Sequence, residues 1–379
     1  MKIAIPKETA NGETRIACSP ETVKKLAALG LDVVVEAGAG AGSSLSDDAF
    51  KDAGAAIAPD CGAALGDADI VFKVQRPNDA EVSLMKKGAV LIAMLAPMSN
   101  KDAASTYAAH NLTAFAMELV PRISRAQSMD VLSSQSNLAG YKAVLDAAHE
   151  YRRAFPMMMT AAGSIAPARV FIMGVGVAGL QAIATARRLG AIVSATDVRA
   201  ATKEQVESLG AKFVMVESDE TEDAETAGGY AKEMSDDYKR AQAELIAETI
   251  SKQDIVITTA LIPGRPAPVL VTEDMVKTMR AGSVINDLAV EAGGNCPISE
   301  ADTVVVKHGV SLIGYTNVPA RLAEDASQLY ARNLLNFLTP LINSEPGALE
   351  INWEDEIITG SALCHDGKVI HPLLTEKGA

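Results

Sequence analysis

The chain has 379 residues, of which 48% are apolar and 22% are charged, and its formal net charge is −14. This composition is typical of folded globular proteins and excludes an intrinsically disordered chain. An acidic chain without a Lys/Arg tract is not expected to have nucleic acid or an anionic membrane as its main partner. The longest apolar stretch, residues 89–98, has about half of the ~20 residues that a membrane-spanning helix needs.

The cysteines and the start of the chain indicate a cytosolic protein. The four cysteines are far apart and form no C-x-x-C pair, which favours reduced, mostly buried thiols over disulfides or a zinc site. The chain begins directly with a predicted strand, Lys2–Ile5, which leaves no room for a signal peptide.

Short apolar segments alternate with helical segments in the first third of the chain. Ser19, Pro20 and Glu21 are typical of a helix start, and Gly30 is typical of its end. Strands that alternate with helices predict a parallel sheet with helices on its faces. The predicted strands are Lys2–Ile5, Asp32–Glu36, Asp69–Val74, Ala89–Leu95 and Leu112–Val120.

A second series of the same kind lies between two long predicted helices. The first helix covers Gln135–Phe155 and ends at Pro156, and the second covers Pro319–Leu338. The strands between them are predicted at Ala168–Met173, Ile192–Thr196, Lys212–Val216, Asp254–Leu261 and Ser283–Ala289.

The two series predict an α/β fold with two Rossmann-like, doubly wound parallel-sheet domains, joined by the two long helices, with a crevice between them. The tail after residue 338 is too short for a domain, and its Asp366-Gly367 pair predicts one hairpin. We expect this tail to return to the first domain. The first domain is then discontinuous, residues 1–135 with 325–379, and the second domain covers residues 136–324.

Residues 217–237 break the pattern because they are strongly acidic and contain few apolar side chains. Loops of this length are usually functional or disordered. One interpretation is a solvated acidic insertion. The other is a mobile lid in which Gly228-Gly229 is the hinge, and Tyr230 and Met234 fold onto a ligand.

A glycine motif, Gly174-x-Gly176-x-x-Gly179, follows a predicted strand and opens a predicted helix. In this context Gly174 makes the tight turn, Gly176 lets a pyrophosphate approach, and Gly179 lets helix and strand pack closely. The helix N-terminus then offers N–H groups to the phosphates. The motif predicts a dinucleotide site in the second domain, and a glycine-rich turn that binds nothing is the alternative.

An acidic residue, Asp197, ends the next predicted strand, at about the ~20-residue distance expected for the group that binds the adenosine ribose. Its carboxylate would accept hydrogen bonds from the ribose diol and repel a 2′-phosphate. NAD(H) is therefore favoured over NADP(H), a preference that Arg199, two residues later, weakens a little.

Three further stretches are expected to line the same crevice, because ligands lie at the carboxyl ends of parallel strands. The first two end predicted strands of the second domain, and the third leads into the second long helix. Each is either a ligand contact or only a buried strand end. They are Thr258–Gly264, Asn286–Gly294 and Gly314–Pro319.

The segment Arg122–Asn137 is the most unusual, because it combines arginines, amides and serines with one acidic residue. It is either the polar start of a helix or, facing a dinucleotide, the nicotinamide end of the site. In the second interpretation Gln127 and Asp130 hydrogen-bond the carboxamide or ribose, and Arg122 makes a charged contact nearby.

No obvious proton-transfer group accompanies these motifs. The histidines, at positions 110, 149, 308, 365 and 371, are not beside a nucleophile or at metal-ligand spacing, so we expect structural or surface roles and no metal site. Dehydrogenases of hydroxy or amino acids must move a proton with the hydride. Hydride transfer between two nicotinamides needs only that the two rings lie ~3–3.5 Å apart. The lack of an obvious acid–base residue in these motifs favours this second kind of reaction.

Several of these motifs together resemble one family, the alanine dehydrogenase/nicotinamide nucleotide transhydrogenase family. Within it, the chain is similar over nearly its whole length to the NAD(H)-binding extrinsic domain of the transhydrogenase branch. The family resemblance rests on Ile5–Glu8, Glu13–Arg15 and Ser19–Glu21, and the branch resemblance on Arg122–Asn137, Gly174–Gly179 and Thr258–Pro268.

The resemblance implies reversible hydride transfer from NADH on this chain to NADP+ on the NADP(H)-binding domain of a partner subunit, in the Si–Re (AB) stereospecific class. It implies coupling to proton translocation by membrane subunits. It also implies a homodimer, peripheral on the cytoplasmic side of the inner membrane and active only with its partners.

The motifs and the resemblance together define the candidate site residues. The predicted catalytic residues are Arg122, Gln127 and Asp130. In the mobile loop, the resemblance implies that Gly229, Tyr230 and Met234 close over NAD(H). The other predicted cofactor-binding residues are Ser133, Gly174, Gly176, Val177, Gly179, Asp197, Val198, Arg199, Ala260 and Leu261.

Two alternatives to a transhydrogenase component stay open. Alanine dehydrogenases resemble the chain at Arg15 and Lys73, which hold the substrate carboxylate there, but they have a catalytic histidine about where Met94 stands and an aspartate where Glu291 stands. A methionine transfers no proton, which argues against an amino-acid dehydrogenase. A non-catalytic NAD-binding module is the other alternative, and the polar segment 122–137 argues against it.

Overall fold

The computed structural model describes residues 1–216, 235–262, 264–343 and 349–375. Within them the strands, in chain order, are β1 (Lys2–Ile5), β2 (Asp32–Glu36), β3 (Ala56–Ala58), β4 (Ile70–Phe72), β5 (Val90–Ala93), β6 (Thr113–Ala116), β7 (Met158–Thr160), β8 (Gly163–Ile165), β9 (Arg169–Met173), β10 (Ile192–Thr196), β11 (Lys212–Phe213), β12 (Ile255–Thr258), β13 (Val284–Asp287), β14 (Val304–Lys307), β15 (Val310–Ile313), β16 (Ala362–His365) and β17 (Lys368–Val369). The α-helices are α1 (Pro20–Ala28), α2 (Asp47–Asp52), α3 (Cys61–Leu65), α4 (Asp79–Leu84), α5 (Lys101–Ala109), α6 (Val131–Glu150), α7 (Val177–Arg188), α8 (Lys203–Ser208), α9 (Asp236–Ile250), α10 (Glu273–Thr278), α11 (Ala323–Leu338), α12 (Glu356–Ser361) and α13 (Pro372–Thr375).

The chain forms two compact units. The first unit comprises Met1–Gln135 with Pro319–Ala379, and the second comprises Ser136–Val318. The return to the first unit thus falls at Pro319, a few residues before the expected position 325. A reason is visible at Ala320, whose carbonyl already accepts a hydrogen bond from Thr14 of the first unit.

The first unit contains a sheet in the order β3-β2-β1-β4-β5-β6, in which all neighbours are parallel, as predicted. The predicted hairpin is also present, since β16 pairs antiparallel with β6 and β17 with β16. Asp366 and Gly367 have φ values of 47° and 72°, which is the geometry of a type I′ turn. The tail therefore extends this sheet.

Helices cover both faces of the first sheet, and its central strand shows the alternation that this requires. Ile70 and Phe72 of β4 belong to one buried apolar cluster, and Val71 belongs to another. All three are almost completely buried, so the strand reads as a continuous apolar run.

The second unit contains a sheet in the order β11-β10-β9-β12-β13-β15-β14, parallel except for the edge strand β14. Val170 and Ile172 of β9 pack into one apolar cluster and Phe171 into another. The strand order reverses between β9 and β12. In doubly wound sheets a ligand binds at the carboxyl ends of the strands at this point.

The long helix predicted at 135–155 is shifted in the structure to Val131–Glu150. The prediction was wrong at its start because the side chain of Asp130 accepts the N–H of Ser133 and so begins the helix earlier. It was wrong at its end because Tyr151 and Phe155 leave the helix and pack edge-to-face against each other. The second long helix was predicted from Pro319, but its first turn, Val318–Leu322, is a 3-10 turn.

The sequence analysis missed β3 and two hairpins, β7–β8 and β14–β15, and it overestimated most strands. β7 and β8 pair only with each other among the described residues, and all their residues are exposed, so they show no apolar alternation that could predict them. The strand predicted at 254–261 ends at Thr258, since the chain turns there into a loop at the carboxyl edge. No helix in the described part of the chain is long and apolar enough to cross a membrane.

Candidate dinucleotide-binding site

The glycine motif of the second unit connects β9 to α7. Gly174 has a φ of +102°, which is strained for any other residue. A Cβ on Gly179 would lie 1.9 Å from the carbonyl oxygen of Gly174, whereas a Cβ on Gly176 would meet nothing within 4 Å. Among the described residues no side chain caps α7, so the N–H groups of its first turn can bind an anion such as a pyrophosphate.

Asp197 follows β10, and its carboxylate lies beside the glycine motif. It accepts hydrogen bonds from the backbone N–H of Val175 at 2.7 Å and of Arg199 at 2.9 Å. The Arg199 side chain also donates to it, through Nε at 2.9 Å and Nη2 at 3.0 Å. A carboxylate that recognises a ribose diol must lie at this position, but here the Arg199 side chain covers it.

The segment after β12 is fixed by Asn295, a residue that the sequence analysis did not single out. The Asn295 side chain is fully buried. Its Oδ1 accepts the N–H of Ala260 at 3.0 Å, and its Nδ2 donates to the carbonyls of Ala260 at 2.9 Å and Pro268 at 2.8 Å. Leu261, the residue after Ala260, is 55% exposed. Asn295 therefore holds both ends of the segment that contains two predicted cofactor-binding residues.

Asn295 is held in turn by Asp287, a fully buried carboxylate at the end of β13. Asp287 accepts the N–H groups of Ala289, Asn295 and Cys296 at 2.9–3.1 Å and the hydroxyl of Thr258 at 3.1 Å. The predicted stretch after this strand includes Asp287 but stops one residue before Asn295. In the sequence, Asn295 could have been noticed as a short polar residue after a buried strand. Its hydrogen-bond partners are visible only in the folded chain.

In the first unit, the predicted polar residues line a concave site of about 270 Å³. The structure thus brings the three predicted catalytic residues and Ser133 together. Arg122 and Gln127 are exposed there, so they are accessible to a ligand. The lining residues are Pro121, Arg122, Ile123, Ala126, Gln127, Asp130 and Ser133.

Asp130 has a structural role in this site that is independent of any ligand. Its Oδ1 accepts the N–H of Ser133 at 2.8 Å, and its Oδ2 accepts the Ser133 hydroxyl at 2.6 Å. Asp130 is therefore the N-cap of α6. This agrees with the interpretation of the segment 122–137 as the polar start of a helix. Arg125 is likewise occupied, because its guanidinium binds Asp355 at 2.8 and 2.5 Å.

Arg15, one of the cations that suggested an amino-acid dehydrogenase, is buried and paired. It is 2% exposed and donates to Glu13 through Nε at 2.8 Å and Nη2 at 2.6 Å, and to Gln135 through Nη1 at 2.8 Å. Burial alone would raise the pKa of Glu13, but hydrogen bonds from Arg15 and its positive charge lower it to about 2. The Arg15 guanidinium therefore already has a carboxylate partner within the protein.

Lys73, the second such cation, is also buried and paired. It is 1% exposed and lies 3.2 Å from the Glu8 carboxylate and 2.9 Å from the Glu81 carboxylate. Met94, at the position where the resemblance implies a histidine in alanine dehydrogenases, follows β5 and is half-buried. A substrate carboxylate would have to compete with three internal carboxylates for these two cations.

The remaining predicted residues divide into two groups. Val177 and Val198 flank the glycine motif and Asp197 in the chain and are 39% and 56% exposed. Gly229, Tyr230 and Met234 lie outside the described residues. In the described ranges, no group of three or more His, Cys, Asp or Glu side chains is placed to hold a metal ion.

A doubly wound sheet with a glycine turn, an uncapped helix and a carboxylate at its switch point defines a dinucleotide-binding α/β protein. Two family models match this chain: the alanine dehydrogenase/PNT N-terminal domain over residues 4–139 and the alanine dehydrogenase/PNT C-terminal domain over residues 143–372. The chain belongs to the alanine dehydrogenase/PNT family.

Individual relatives agree with the resemblance predicted from the sequence, which is confirmed. An NAD(P) transhydrogenase subunit alpha chain of Rhodospirillum rubrum is 60% identical over an alignment that covers 100% of both chains. A solved transhydrogenase structure from Sinorhizobium meliloti has a TM-score of 0.89 at 55% identity and covers 98% of this chain and 100% of that chain. An L-alanine dehydrogenase structure has a TM-score of 0.82 at 27% identity and covers 99% and 98%.

Proposed function

We propose that this chain is the NAD(H)-binding catalytic component of a proton-translocating transhydrogenase. NADH on this chain transfers a hydride reversibly to NADP+ on a partner subunit, and membrane subunits couple this reaction to proton translocation. The chain acts as a peripheral protein on the cytoplasmic side of the inner membrane. The similarity over full length to chains named as transhydrogenase and its alpha subunit supports this role.

The proposal depends on one combination of features. The chain has a dinucleotide motif in the second unit, and the concave polar site of the first unit has no free acid–base group. The residues that line the concave site include no His, Lys or Cys, and its carboxylate, Asp130, caps α6. In hydride transfer between nicotinamides, the C4–H electron pair of NADH forms the C4–H bond of NADPH, and no proton moves. Such a reaction depends on positioning alone.

The two units have different roles in this proposal. The second unit binds the adenosine and pyrophosphate of NAD(H) through the glycine motif, Asp197 and the segment that carries Leu261. The first unit contacts the nicotinamide half through Arg122, Gln127, Asp130 and Ser133.

The test measures reduction of thio-NADP+ by NADH with the purified chain and membranes from host cells that lack this component. We expect activity only when both chain and membranes are present. Membranes alone and the Asp197→Ala variant with membranes are the controls, and both should be inactive at low NADH concentration. No activity in the complete mixture, with a chain shown to be folded, contradicts the proposal.

A parallel assay without membranes tests the alternative, amino-acid dehydrogenase activity. It supplies pyruvate, ammonium and NADH to the chain alone. We expect no NADH oxidation, because Arg15 and Lys73 are paired internally and Met94 cannot transfer a proton. Pyruvate-dependent oxidation would replace the transhydrogenase proposal by this alternative. NADH binding without transfer in either assay would indicate a non-catalytic binding module.

We further propose that the β7–β8 hairpin contacts a second copy of the chain in a homodimer. All residues of its strands are exposed, and Met157 and Met159, next to and within β7, are 62% and 78% exposed. An isolated two-stranded hairpin is marginally stable in water, and exposed apolar side chains of this kind mark protein interfaces. A partner chain would bury these methionines.

The substitution Met159→Asp should therefore convert the dimer to a monomer, since it places a charge in the apolar contact. Sedimentation velocity of both proteins measures the change. Met98→Asp, at a methionine of the first unit that is 37% exposed, is the matched control and should leave the dimer intact. A monomeric wild-type chain contradicts the homodimer, and a dimeric Met159→Asp variant contradicts the role of the hairpin.

A further inference from the structure

The carboxylate of Asp197 has all its acceptor positions occupied. A carboxylate offers about four such positions. The backbone N–H groups of Val175 and Arg199 fill two of them, and Nε and Nη2 of the Arg199 side chain fill the other two. The Asp197 side chain is 6% exposed and that of Arg199 is 27% exposed, so the arginine lies between the carboxylate and solvent.

A ribose diol needs two of these acceptor positions. The two backbone donors belong to the turns after β9 and β10, and they cannot leave without unfolding those turns. The side-chain donors of Arg199 can leave by rotation about side-chain bonds. A ribose that binds Asp197 must therefore replace the guanidinium of Arg199.

The displaced guanidinium stays close to the ribose. The Arg199 backbone N–H remains bonded to Asp197, and the side chain already reaches the carbonyl of Val175 at 3.3 Å. A ribose that binds Asp197 through its diol would have its 2′ position at this carboxylate, so the charge of Arg199 would lie near that position. It is then a donor for a 2′-phosphate, the role that a nearby arginine has in NADP(H)-binding sites of this fold.

We propose that Arg199 is a specificity-determining residue that lowers the discrimination between NAD(H) and NADP(H). Asp197 alone would repel a 2′-phosphate with its full charge, whereas the Asp197–Arg199 pair has no net charge. Arg199 thus offsets part of the repulsion and leaves a weaker preference for NAD(H) than the carboxylate would give alone. This inference rests on the proposed NAD(H) binding.

The test measures the dissociation constants of NADH and NADPH for the full chain by isothermal titration calorimetry. The quantity compared is the ratio of the NADPH constant to the NADH constant, because contacts common to both nucleotides cancel in it. In Arg199→Gln, which keeps the length but removes the charge, we expect this ratio to rise about tenfold. In Arg199→Lys, which keeps the charge, we expect a ratio within about twofold of the wild type.

Two further variants serve as controls. Arg188→Gln removes an exposed arginine at the end of α7 and should leave the ratio unchanged. Asp197→Asn removes the repelling charge and should lower the ratio. If Arg199→Gln does not fold, as judged by circular dichroism, Arg199→Met gives the same comparison.

An equal or smaller ratio in the neutral variants, with a wild-type chain that binds NADH, overturns the role of Arg199 and leaves the proposed function intact. A folded wild-type chain that binds neither nucleotide overturns the proposed function, and the inference with it. These two failures are therefore distinguishable in one series of titrations.

Discussion

Asp130 and Asp197 both belong to the candidate site, and each also forms hydrogen bonds to a nearby residue of the chain. Asp130 binds both the N–H and the hydroxyl of Ser133, and Asp197 binds the backbone and side chain of Arg199. Such local hydrogen bonds fix the side-chain rotamer before a ligand arrives. The oxygens of these two carboxylates are therefore pre-oriented. The side chains of Arg122 and Gln127 are exposed and can adapt to a ligand.

Gln127→Asn tests whether this amide sets the geometry of hydride transfer. Shortening the side chain by one methylene would withdraw the amide from the nicotinamide contact proposed above, so we expect the transfer rate with membranes to fall roughly 10–100-fold. The dissociation constant of NADH should change less than about threefold, since in the proposed function the second unit keeps its contacts to the adenosine and pyrophosphate. Stopped-flow measurement of thio-NADP+ reduction and titration of NADH give the two values.

The matched control is Gln205→Asn in α8, an exposed glutamine of the second unit, which should leave both values unchanged. Equal losses of rate and affinity in Gln127→Asn would show that this residue contributes uniform binding and does not position the nicotinamide.

At the scale of elements, the β9–α7 connection contains two glycines with different roles. Gly179 is needed for packing, and Gly176 leaves space for a ligand. The Cβ of an alanine at position 179 would overlap the carbonyl of Gly174, and one at position 176 would meet only open space. The helix start is thus built so that its backbone can approach another molecule closely at Gly176.

Gly176→Ala should keep its thermal midpoint but lose NADH affinity by tenfold or more, because the methyl group occupies the space of the pyrophosphate. Gly179→Ala should lose about 2–3 kcal/mol of unfolding free energy, because the helix must move away from the strand. Differential scanning calorimetry and NADH titration of both variants measure this contrast. A Gly176→Ala variant with unchanged affinity would show that no phosphate lies against this turn.

The segment after β12 is another element whose position depends on a distant side chain. In Asn295→Asp, a buried carboxylate would face the carbonyl oxygens of Ala260 and Pro268 without a donor. We expect this change to cost about 3 kcal/mol of stability and to weaken NADH binding at least tenfold.

Thermal melting and NADH titration check both effects of Asn295→Asp. Asn352→Asp is the control, because its exposed side-chain oxygen accepts the N–H of Glu354, a bond that an aspartate keeps. If Asn295→Asp loses stability but binds NADH normally, Asn295 supports the fold and not the site.

On the scale of the whole molecule, each unit has its own sheet and apolar core, and the first also buries ion pairs. Glu13 with Arg15, and Glu8 and Glu81 with Lys73, are almost completely buried. Buried pairs of this kind are strongly destabilising when one partner is removed. Burial raises the pKa of Glu8 against the opposing effect of Lys73, whereas Arg15 holds the pKa of Glu13 at about 2.

The depressed pKa of Glu13 predicts a dependence of stability on pH. A carboxyl group with a folded pKa of about 2 and an ordinary value of 4.5 stabilises the fold above the ordinary value, and this contribution is lost as the pH falls towards 2. It amounts to on the order of 3 kcal/mol. Glu13→Gln should therefore be less stable than the wild type at pH 6, and the difference should shrink as the pH falls to 3.

Urea unfolding followed by the fluorescence of Trp353 measures this difference, because the sole tryptophan lies in the first unit with Glu13. Glu354→Gln, at an exposed position, is the control and should show no such dependence. A stability difference for Glu13→Gln that stays constant from pH 6 to pH 3 would contradict the assigned pKa.

The sequence by itself determined the features that depend on neighbouring residues: the fold class from alternating apolar runs, the α1 start at Ser19, the Asp366-Gly367 turn and the glycine motif with its strand and helix. Periodicity and turn chemistry act over a few residues and can be read in one dimension. Only the tertiary structure decided that Asn295 holds Ala260, that Asp287 holds Asn295 and that Lys73 pairs with Glu8. These outcomes depend on which partners burial brings within hydrogen-bond distance, and a buried polar group must take the partner that the fold supplies.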